Sequence, residues 1–454
     1  MMKKYDLIVV GGGSSGMNVV HRAAGKGWKV AIVESSHLGG TCINVGCIPS
    51  KTLIYSARVM HEVRNAARYG VLTEPPQADW PAMVKRKDRL VGRIRSRGYK
   101  NVERNDKITL YEGEGTFSGP HELSVNGEAI TADKIVIAAG ARTAVPPVPG
   151  LDQLDYLTST SLMEMEGLPE SLLVIGGGII ALEFSQMLTR LGVEVTILQR
   201  NRRLAPMLEE EISAEIGELL KKEGVTVKTG VNITSVGKDG GKVYAVDESE
   251  GKPERHNAEK LLVAAGRVPN SDRLKVDRAG IETDDQGFIK VDSSFRASVE
   301  GVWAIGDING GPMFTHRAWH DGLLLSRHLI DGLEINNEGR LIPFAVFTDP
   351  EIAGVGLGEQ QAYEAGYSIK IQRFPFAYQG RALAVEKLDG FVKLVVNKNE
   401  GKILGAHIIG PEAGELIHEL IAAIRFGATV DDLRDMMHIH PTLSEAINNA
   451  AWSG

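Results

Sequence analysis

The chain has 454 residues, of which 43% are hydrophobic and 24% charged, so it is long enough for about two to four packed domains and is neither disordered nor fibrous. Its net charge is −7 and its basic cluster at 85–87 is predicted to be a solvated helix face, which argues against nucleic acid as the main partner. Two cysteines and the absence of any run of about 20 apolar residues exclude a disulfide-stapled secreted protein and a membrane span, so we expect a cytoplasmic protein.

The first predicted unit is a strand, a glycine turn, a helix and a second strand. Gly11, Gly13 and Gly16 follow an apolar strand and open a helix-compatible stretch, and the second strand ends at Glu34. Such a turn lets the backbone approach a pyrophosphate, to which the helix presents free N–H groups. Glu34 can accept hydrogen bonds from a ribose 2′-hydroxyl and would repel a 2′-phosphate, so the unit suits FAD or NAD. A tight turn without a ligand is the alternative.

Both cysteines of the chain, Cys42 and Cys47, follow this unit. A helix is predicted from Pro49 to about residue 60, because proline is favourable in a first helical turn. Cys47 then lies at a helix N-terminus, where the helix dipole and Lys51 both favour the thiolate. The spacing allows a small ring that opens and closes reversibly. Two buried, inert thiols are the alternative, and a metal site is disfavoured because His37 alone completes no tetrahedral ligand set.

The glycine pattern occurs a second time. Gly176 and Gly178 follow an apolar strand and the next strand ends at Gln199, so the strand ends 23 residues after the first glycine in both units. This repeat predicts a second dinucleotide-binding turn. Neutral Gln199 followed by Arg200 suits a ribose 2′-phosphate, which favours NADPH over NADH. The alternative is that Arg200 is an ordinary exposed residue at a strand end.

Two further motifs lie in the second half of the chain. An apolar strand ends in Gly306 and Asp307, where the aspartate either caps the next helix or holds the polyol chain of a cofactor. Near the end of the sequence, Thr442 and Glu445 fit a capping box. His440 also fits a general acid–base group that Glu445 orients. The local sequence leaves both interpretations of this segment open.

Together, the segment 39–51 (GGTCINVGCIPSK), the two glycine turns, the Gly306–Asp307 motif and the segment 440–445 (HPTLSE) resemble the class I pyridine nucleotide–disulfide oxidoreductases. The resemblance covers essentially the whole chain. It implies an α/β fold with two Rossmann-like dinucleotide-binding domains and a C-terminal α+β dimerisation domain. The predicted boundaries are 1–148 and 271–341 for the FAD-binding domain, 149–270 for the NAD(P)-binding domain and 342–454 for the dimerisation domain.

The resemblance also implies roles for individual residues. Cys42 is expected to exchange with a disulfide substrate, and Cys47 to form the charge-transfer thiol against the flavin. Lys51 and its partner Glu183 are expected beside the reactive flavin nitrogen. His440 and Glu445 are expected to act as an acid–base dyad on the active site of the other subunit of a homodimer. The remaining cofactor contacts are predicted at Gly11, Gly13, Gly16, Glu34, Gly115 and Asp307 for FAD, and at Gly176, Gly178, Gln199, Arg200 and Gly266 for the nicotinamide nucleotide.

Two branches of this family match different parts of the chain. The segments 440–445 and 312–318 (PMFTHRA) resemble dihydrolipoamide dehydrogenase, which normally uses NAD(H). The segments 181–186 (ALEFSQ) and 347–350 (FTDP) resemble mercuric reductase, yet the sequence has no third cysteine, and soft Hg(II) needs thiolates along its route. We therefore predict reduction of a small-molecule or protein-bound disulfide with NADPH, NADH being the alternative nucleotide. A mercuric reductase-like metal-ion reductase is the alternative function, and no resident metal site is predicted.

Overall fold

The computed structural model of the protein describes residues 2–249 and 251–453. The predicted domain limits at residues 1 and 454 therefore lie outside the described residues. Short 3₁₀ turns lie at Ala66–Tyr69, Leu151–Gln153, Val276–Ala279, Gly306–Asn309 and Phe376–Tyr378. The remaining helices and strands are given below in chain order.

The first part of the chain forms strands β1–β9 and helices α1–α4. They are β1 (Lys3–Tyr5), β2 (Leu7–Val10), α1 (Ser14–Gly25), β3 (Val30–Glu34), α2 (Gly40–Asn44), α3 (Cys47–Arg64), α4 (Trp80–Glu103), β4 (Ile108–Glu112), β5 (Gly115–Gly119), β6 (Glu122–Val125), β7 (Glu128–Ala132), β8 (Ile135–Ile137) and β9 (Ala141–Thr143). Every residue of β2 and β3 is buried. Continuous apolar strands of this kind occur in parallel sheets that helices cover on both faces.

The middle part repeats this architecture. Its elements are α5 (Ser159–Leu162), β10 (Ser171–Ile175), α6 (Ile179–Arg190), β11 (Glu194–Gln199), α7 (Glu210–Lys222), β12 (Thr226–Thr229), β13 (Ile233–Asp239), β14 (Lys242–Asp247), β15 (Glu254–Ala258) and β16 (Lys260–Val263). A parallel sheet runs in the order β12–β11–β10–β16, and β13–β14–β15 form a separate antiparallel sheet. The strand that precedes the second glycine turn, β10, is thus an inner strand with a helix at its carboxyl end.

The chain then returns to the first unit through β17 (Arg267–Pro269), α8 (Ser271–Leu274), β18 (Val302–Ala304) and α9 (Thr315–Asp331). β18 joins the first parallel sheet, whose order is β18–β8–β2–β3–β4, while β17 pairs with β9. β5, β6 and β7 form a further sheet with β1. The carboxyl ends of β2 and β18 therefore lie at the same edge of one sheet, which brings the first glycine turn and the Gly306–Asp307 motif together.

The last part is an antiparallel sheet with helices against it. Its elements are β19 (Phe344–Val346), β20 (Glu351–Gly356), α10 (Glu359–Glu364), β21 (Ile369–Pro375), α11 (Gly380–Ala384), β22 (Phe391–Asn397), β23 (Ile403–Gly410), α12 (Ala413–Arg425), α13 (Val430–Asp435) and α14 (Glu445–Trp452). The sheet order is β19–β20–β23–β22–β21, and residues of α12, α13 and α14 share one buried core with it. The predicted α/β class, with two parallel-sheet units and a C-terminal α+β unit, is confirmed. The exact domain boundaries stay predictions.

The basic cluster at 85–87 differs from the expectation. Lys85 is exposed, but Lys87 is only 5% exposed, and its ammonium donates a hydrogen bond to the carbonyl oxygen of Met163 at 3.1 Å. A solvated face was therefore the wrong prediction for Lys87. The reason is that the packing of α4 buries the long lysine stem while the charged end still reaches polar partners, including Asp88 at 2.7 Å. Across the described residues, no helix combines the length and the hydropathy that crossing a membrane requires.

Candidate active site

Two consecutive helices bring the cysteines together. Cys42 lies in the short helix α2, which the sequence did not predict, and Cys47 is the first residue of α3. Both are free thiols of intermediate exposure. A Cβ added to Gly46 would lie 2.8 Å from the carbonyl oxygen of Thr41, so glycine is needed where the two helices meet. As the position of Pro49 indicated, Cys47 lies at a helix N-terminus, although the helix begins two residues before that proline.

The two thiols have opposite tendencies to ionise. The hydrogen bond from Cys42 is the largest cause that lowers the pKa of Cys47 to about 6, and the hydroxyl of Thr315 and the charge of Lys51 lower it further, against the effect of burial. Thr315 Oγ1 lies 3.2 Å from Cys47 Sγ. The pKa of Cys42 is raised far above its usual range, because its S–H is held by the Cys47 sulfur and burial disfavours a second anion. The thiolate therefore belongs to Cys47, and Cys42 carries the proton.

We expect the Cys47 thiol of the reduced protein to ionise at a lower pH than an ordinary cysteine. Cys47 should be half thiolate near pH 6, against about 8.5 for an ordinary cysteine, and should protonate below that pH. The Cβ signals of isotope-labelled cysteine measure this, since the chain contributes just two of them. Lys51→Gln should raise the midpoint, whereas Lys85→Gln, an exposed lysine on α4, should leave it unchanged. A Cys47 midpoint at the ordinary thiol value would contradict the assignment.

A charged pair adjoins the cysteines. Lys51 Nζ, one turn after Cys47 on α3, lies 2.7 Å from Glu183 Oε2. Glu183 is nearly buried, with 7% of its side chain exposed, and comes from α6 of the second parallel-sheet unit. Its other oxygen accepts a hydrogen bond from the backbone N–H of Phe347 at 2.9 Å, and the Phe347 ring centroid lies 4.8 Å from Lys51 Nζ. Three distant parts of the chain thus hold one ammonium group beside the thiolate.

The first glycine turn has the space that a dinucleotide requires. Gly11 has φ +109°, and an added Cβ would lie 2.3 Å from the carbonyl oxygen of Ala138. At Gly16 an added Cβ would lie 2.1 Å from the oxygen of Gly11. Gly13 is the N-cap of α1 and provides no side-chain cap, so the first N–H groups of the helix are open to a ligand. These features fit a pyrophosphate at the N-terminus of α1.

Two carboxylates near this turn fit the hydroxyl groups of FAD: Glu34 the ribose and Asp307 the polyol chain. Glu34 is buried at the end of β3 and accepts a hydrogen bond from the N–H of Gly12 at 2.8 Å, which places it beside the glycine turn. Asp307 accepts no side-chain hydrogen bond from the described residues, and burial raises its pKa. The capping interpretation of Asp307 is wrong, because α9 begins only at Thr315 and neither this helix nor the turn at Asp307 has a side-chain cap. A carboxylate without a protein partner suits the hydroxyls of a polyol chain.

Gly115 lies on the sheet next to this site. It begins β5, and an added Cβ there would lie 2.9 Å from Cγ1 of Val33, so a larger residue would press against β3. The predicted FAD contacts at Gly11, Gly13, Gly16, Glu34, Gly115 and Asp307 thus surround the edge of one sheet. The residues present fit the cofactor.

The second glycine turn has the same backbone geometry as the first at its first glycine and at the helix N-cap. Gly176 has φ +108°, and an added Cβ would lie 2.4 Å from the carbonyl oxygen of Ala264. Gly178 is the N-cap of α6, again without a side-chain cap. Gly266 has φ +119° and follows the neighbouring strand β16. This geometry fits the pyrophosphate of a second dinucleotide.

The residues that would contact the ribose of this dinucleotide follow β11. Gln199 is buried, and its amide donates to the carbonyl oxygen of Arg203 at 3.4 Å. Arg203 in turn donates to the carbonyl oxygen of Pro206 at 2.8 Å, so its guanidinium is committed to the loop. Arg200 and Arg202 are exposed. Two exposed cations therefore lie where a 2′-phosphate would be expected.

The C-terminal dyad is formed, and its imidazole is exposed. His440 Nδ1 lies 2.9 Å from Glu445 Oε1, and the imidazole is 77% exposed. The backbone N–H of Thr442 and then the imidazole lower the pKa of Glu445. The predicted capping box is wrong, because α14 begins at Glu445 with Ser444 as its N-cap. Glu445 accepts the backbone N–H of Thr442 at 2.8 Å, but the Thr442 hydroxyl donates to the carbonyl oxygen of Ile439. Within the described residues, no hydrogen bond or ion pair joins the dyad to either cysteine.

A group with metal-binding geometry lies elsewhere. Asp247, Glu254 and His256 on β14 and β15 form the one such cluster found among the described residues. Lys228 already lies 3.0 Å from Glu254. An ammonium in this position competes with a metal cation, and we assign no metal to the cluster.

The sequence did not reveal two residues of the site. Thr315 and Phe347 contact the cysteine and the lysine from parts of the chain more than 260 residues away. Both residues belong to segments that family resemblance singled out, 312–318 and 347–350, but neither residue has a local pattern that indicates a role. Only the tertiary structure brings them to the site.

Comparisons with known proteins agree with one another. A family model described as "Pyridine nucleotide-disulphide oxidoreductase" matches residues 5–322, and the corresponding "dimerisation domain" matches residues 342–451. A mercuric reductase from Bacillus cereus is 38% identical over 98% of this chain and 71% of that protein. A dihydrolipoyl dehydrogenase from Thermus scotoductus is 38% identical over 99% of this chain and 97% of that protein. The solved structure of the HOCl-induced flavoprotein disulfide reductase RclA from Escherichia coli covers 99% of both chains with a TM-score of 0.90 at 29% identity, and its Cu(II) complex gives 0.91.

Proposed function

Because the chain belongs to the pyridine nucleotide–disulphide oxidoreductase family, we propose that it is an NADPH-dependent flavoprotein that reduces a disulfide substrate through Cys42 and Cys47. The resemblance inferred from the sequence motifs is confirmed, and the protein is an oxidoreductase of the flavoprotein disulfide reductase class. The observation that carries the finer proposal is the cysteine pair itself, which α2 and α3 bring together beside Lys51 and with the Thr315 hydroxyl 3.2 Å from Cys47 Sγ.

The cofactor and the charged pair set the conditions for this chemistry. FAD, held by the first glycine turn, Glu34 and Asp307, would supply the two-electron link between the nicotinamide nucleotide and the sulfur pair. Lys51 keeps a positive charge beside the Cys47 thiolate and stabilises it. Glu183 fixes the position of that charge, and the Phe347 ring covers it. Together these residues stabilise the Cys47 sulfur as a thiolate.

The proposed sulfur chemistry proceeds in two exchange steps. His440 of the partner subunit takes the proton of Cys42, whose sulfur attacks one sulfur of the substrate disulfide, and the substrate S–S bond breaks. The leaving thiolate takes that proton back from the imidazole and departs as a thiol. The Cys47 thiolate then attacks the Cys42 sulfur, which closes the Cys42–Cys47 disulfide and releases the second substrate sulfur as a thiolate. One substrate disulfide is reduced and one protein dithiol is oxidised.

A homodimer with shared active sites is part of this proposal. The dimerisation domain supports a homodimer, and the exposed dyad needs a second copy to meet a cysteine pair. Met437 and Ile439, beside the dyad, are 97% and 79% exposed in the single chain. Apolar side chains this exposed are typical of a surface that another subunit covers.

The nucleotide preference is proposed from Arg200. Arg200→Glu should lower kcat/KM for NADPH by about 10- to 100-fold, because a charge-assisted hydrogen bond to the 2′-phosphate is replaced by repulsion. The value for NADH should stay the same or rise. Steady-state kinetics with both nucleotides measure the ratio, and Arg278→Glu, at an exposed arginine on another surface, is the charge control. An unchanged NADPH/NADH ratio would reject Arg200 as the residue that recognises the phosphate.

Metal-ion reduction is the second candidate. Two observations favour it: a 38% identical relative is a mercuric reductase, and the similar structure of RclA was solved as a Cu(II) complex. Soft ions also bind thiolates such as Cys47. NADPH oxidation with lipoamide, glutathione disulfide, Hg(II) or Cu(II) as the acceptor separates the two functions. We expect turnover with a disulfide and inhibition by Hg(II); sustained turnover with a metal ion and none with any disulfide would establish the alternative.

A further inference from the structure

One side chain between the cysteines has an unusual number of polar partners. Asn44 is the last residue of α2, and its amide nitrogen lies 2.9 Å from the oxygen of Gly40, 3.1 Å from that of Leu38 and 3.2 Å from that of His37. An amide has two N–H groups, so these three carbonyls share them. They belong to the turn that leads into α2. The Asn44 side chain therefore ties the end of α2 to its own beginning.

The other end of the same amide is anchored outside the loop. Asn44 Oδ1 accepts a hydrogen bond from Arg95 Nε at 2.7 Å. Arg95 belongs to α4, a helix of 24 residues. α4 is itself fixed to the cysteine-bearing helix α3, because Arg86 donates to the carbonyl oxygen of Thr52 at 2.9 Å. Through Asn44, the segment between the cysteines is thus held to α4. None of the predicted site residues lies on this helix.

The segment that Asn44 holds becomes a covalent ring when Cys42 and Cys47 are oxidised to a disulfide. A Cys42–Cys47 disulfide would enclose residues 43–46, with Asn44 inside the ring. The ring closes easily if the backbone already keeps the two sulfurs adjacent while they are reduced. Restricting that backbone raises the effective concentration of one sulfur at the other, which favours the disulfide over the dithiol.

We infer that Asn44 and Arg95 are positioning residues that hold the Cys42–Cys47 segment in its ring-closed geometry and thereby set the stability of the redox disulfide. This inference rests on the proposed function, because it concerns the sulfur pair of that mechanism. Neither residue touches a substrate or exchanges electrons. Their effect acts on the balance between disulfide and dithiol.

The balance can be measured on the purified flavin-containing protein in glutathione buffers. One Cys42–Cys47 disulfide and two glutathione thiols give two cysteine thiols and one glutathione disulfide, and the extent is read by thiol alkylation and mass spectrometry. Asn44→Ala leaves three carbonyls and Arg95 without their partner and adds no charge. We expect it to shift the equilibrium towards the dithiol by about tenfold, which corresponds to the net contribution of one or two hydrogen bonds. Arg95→Met, which breaks one of these bonds, should shift it in the same direction by about threefold.

Two controls make the result specific. Asn65→Ala removes an asparagine at the far end of α3 whose amide donates to the carbonyl oxygen of His61 at 2.8 Å, and it should leave the equilibrium within about twofold. The Cys47 pKa of each variant is measured as well, so that a change in thiolate stability can be subtracted. A residue that supports only the fold would lower the melting temperature without changing this equilibrium.

The possible results separate the inference from the proposed function. If the disulfide forms in the wild type and Asn44→Ala and Arg95→Met leave its equilibrium unchanged, or if Asn65→Ala shifts it equally, the inference is overturned and the proposed function stands. If the wild type forms no Cys42–Cys47 disulfide at any glutathione ratio, both are overturned. A shift confined to Asn44→Ala and Arg95→Met supports the inference.

Discussion

Cys42→Ser should abolish disulfide turnover, with a loss of at least about a thousandfold in kcat, while the flavin stays bound and is still reduced by NADPH. A serine hydroxyl is too weak a nucleophile to attack a disulfide sulfur, and the chain has no third cysteine to replace it. The variant keeps an O–H group that can donate to the Cys47 sulfur, so the thiolate environment is disturbed as little as the change allows. Steady-state NADPH oxidation with a disulfide measures the loss, and anaerobic reduction of the bound flavin measures what survives.

A matched serine at the second cysteine sharpens this experiment. Cys47→Ser should also stop turnover, but it leaves Cys42 able to form a mixed disulfide with the substrate that the protein cannot resolve. That adduct should be trapped and detected by mass in Cys47→Ser and be absent in Cys42→Ser. Turnover by Cys42→Ser close to that of the wild type, or an adduct on Cys47 in its place, would contradict the assignment of Cys42 as the attacking thiol.

His440→Gln is expected to have the second largest effect. It should lower kcat/KM for the disulfide by about 10²- to 10⁴-fold, the usual contribution of general acid–base catalysis. Glutamine can still pair with Glu445 but cannot carry a proton to or from a thiol. Flavin reduction by NADPH should be unaffected. His418→Gln, at an exposed histidine on α12, is the control and should retain full activity.

Mixing the two inactive proteins tests whether the sites are shared. A dimer of one Cys42→Ser subunit and one His440→Gln subunit has one site with both defects and one site with neither, if each site uses His440 of the partner subunit. Random reassociation makes half of the dimers mixed, so about a quarter of the wild-type activity should return. Sites contained within single subunits would give no recovery, and that result would remove the shared-site proposal.

The parts of the site that could be predicted from the sequence are those in which local chemistry is decisive. Gly11 and Gly176 need positive φ and lie against a backbone oxygen, so no other residue serves there, and the pattern shows in the sequence. Cys47 at a helix start follows in the same way from the proline two residues later. Such features depend on a few neighbouring residues.

The rest depended on packing between distant segments. Thr315 and Phe347 reach the site only because α9 and the segment after β19 pack against it, and no local pattern around either residue indicates this. The same cause made the prediction for Lys87 wrong, since a basic residue on a helix is buried or exposed according to what packs against it. Asp307 was ambiguous because the distance to the next helix decides whether an aspartate can cap it, and that helix starts eight residues later.

The position of Glu183 gives the nucleotide turn a mechanical link to the sulfur centre. Gly178 is the N-cap of α6 and Glu183 lies on the same helix, about 7.5 Å further along its axis. A shift of α6 would therefore change the distance between the Glu183 carboxylate and the Lys51 ammonium, which is 2.7 Å in this structure. The proposed nucleotide turn and the charge beside the Cys47 sulfur thus lie on one helix, and we expect a nucleotide at the turn to alter the contact between Glu183 and Lys51.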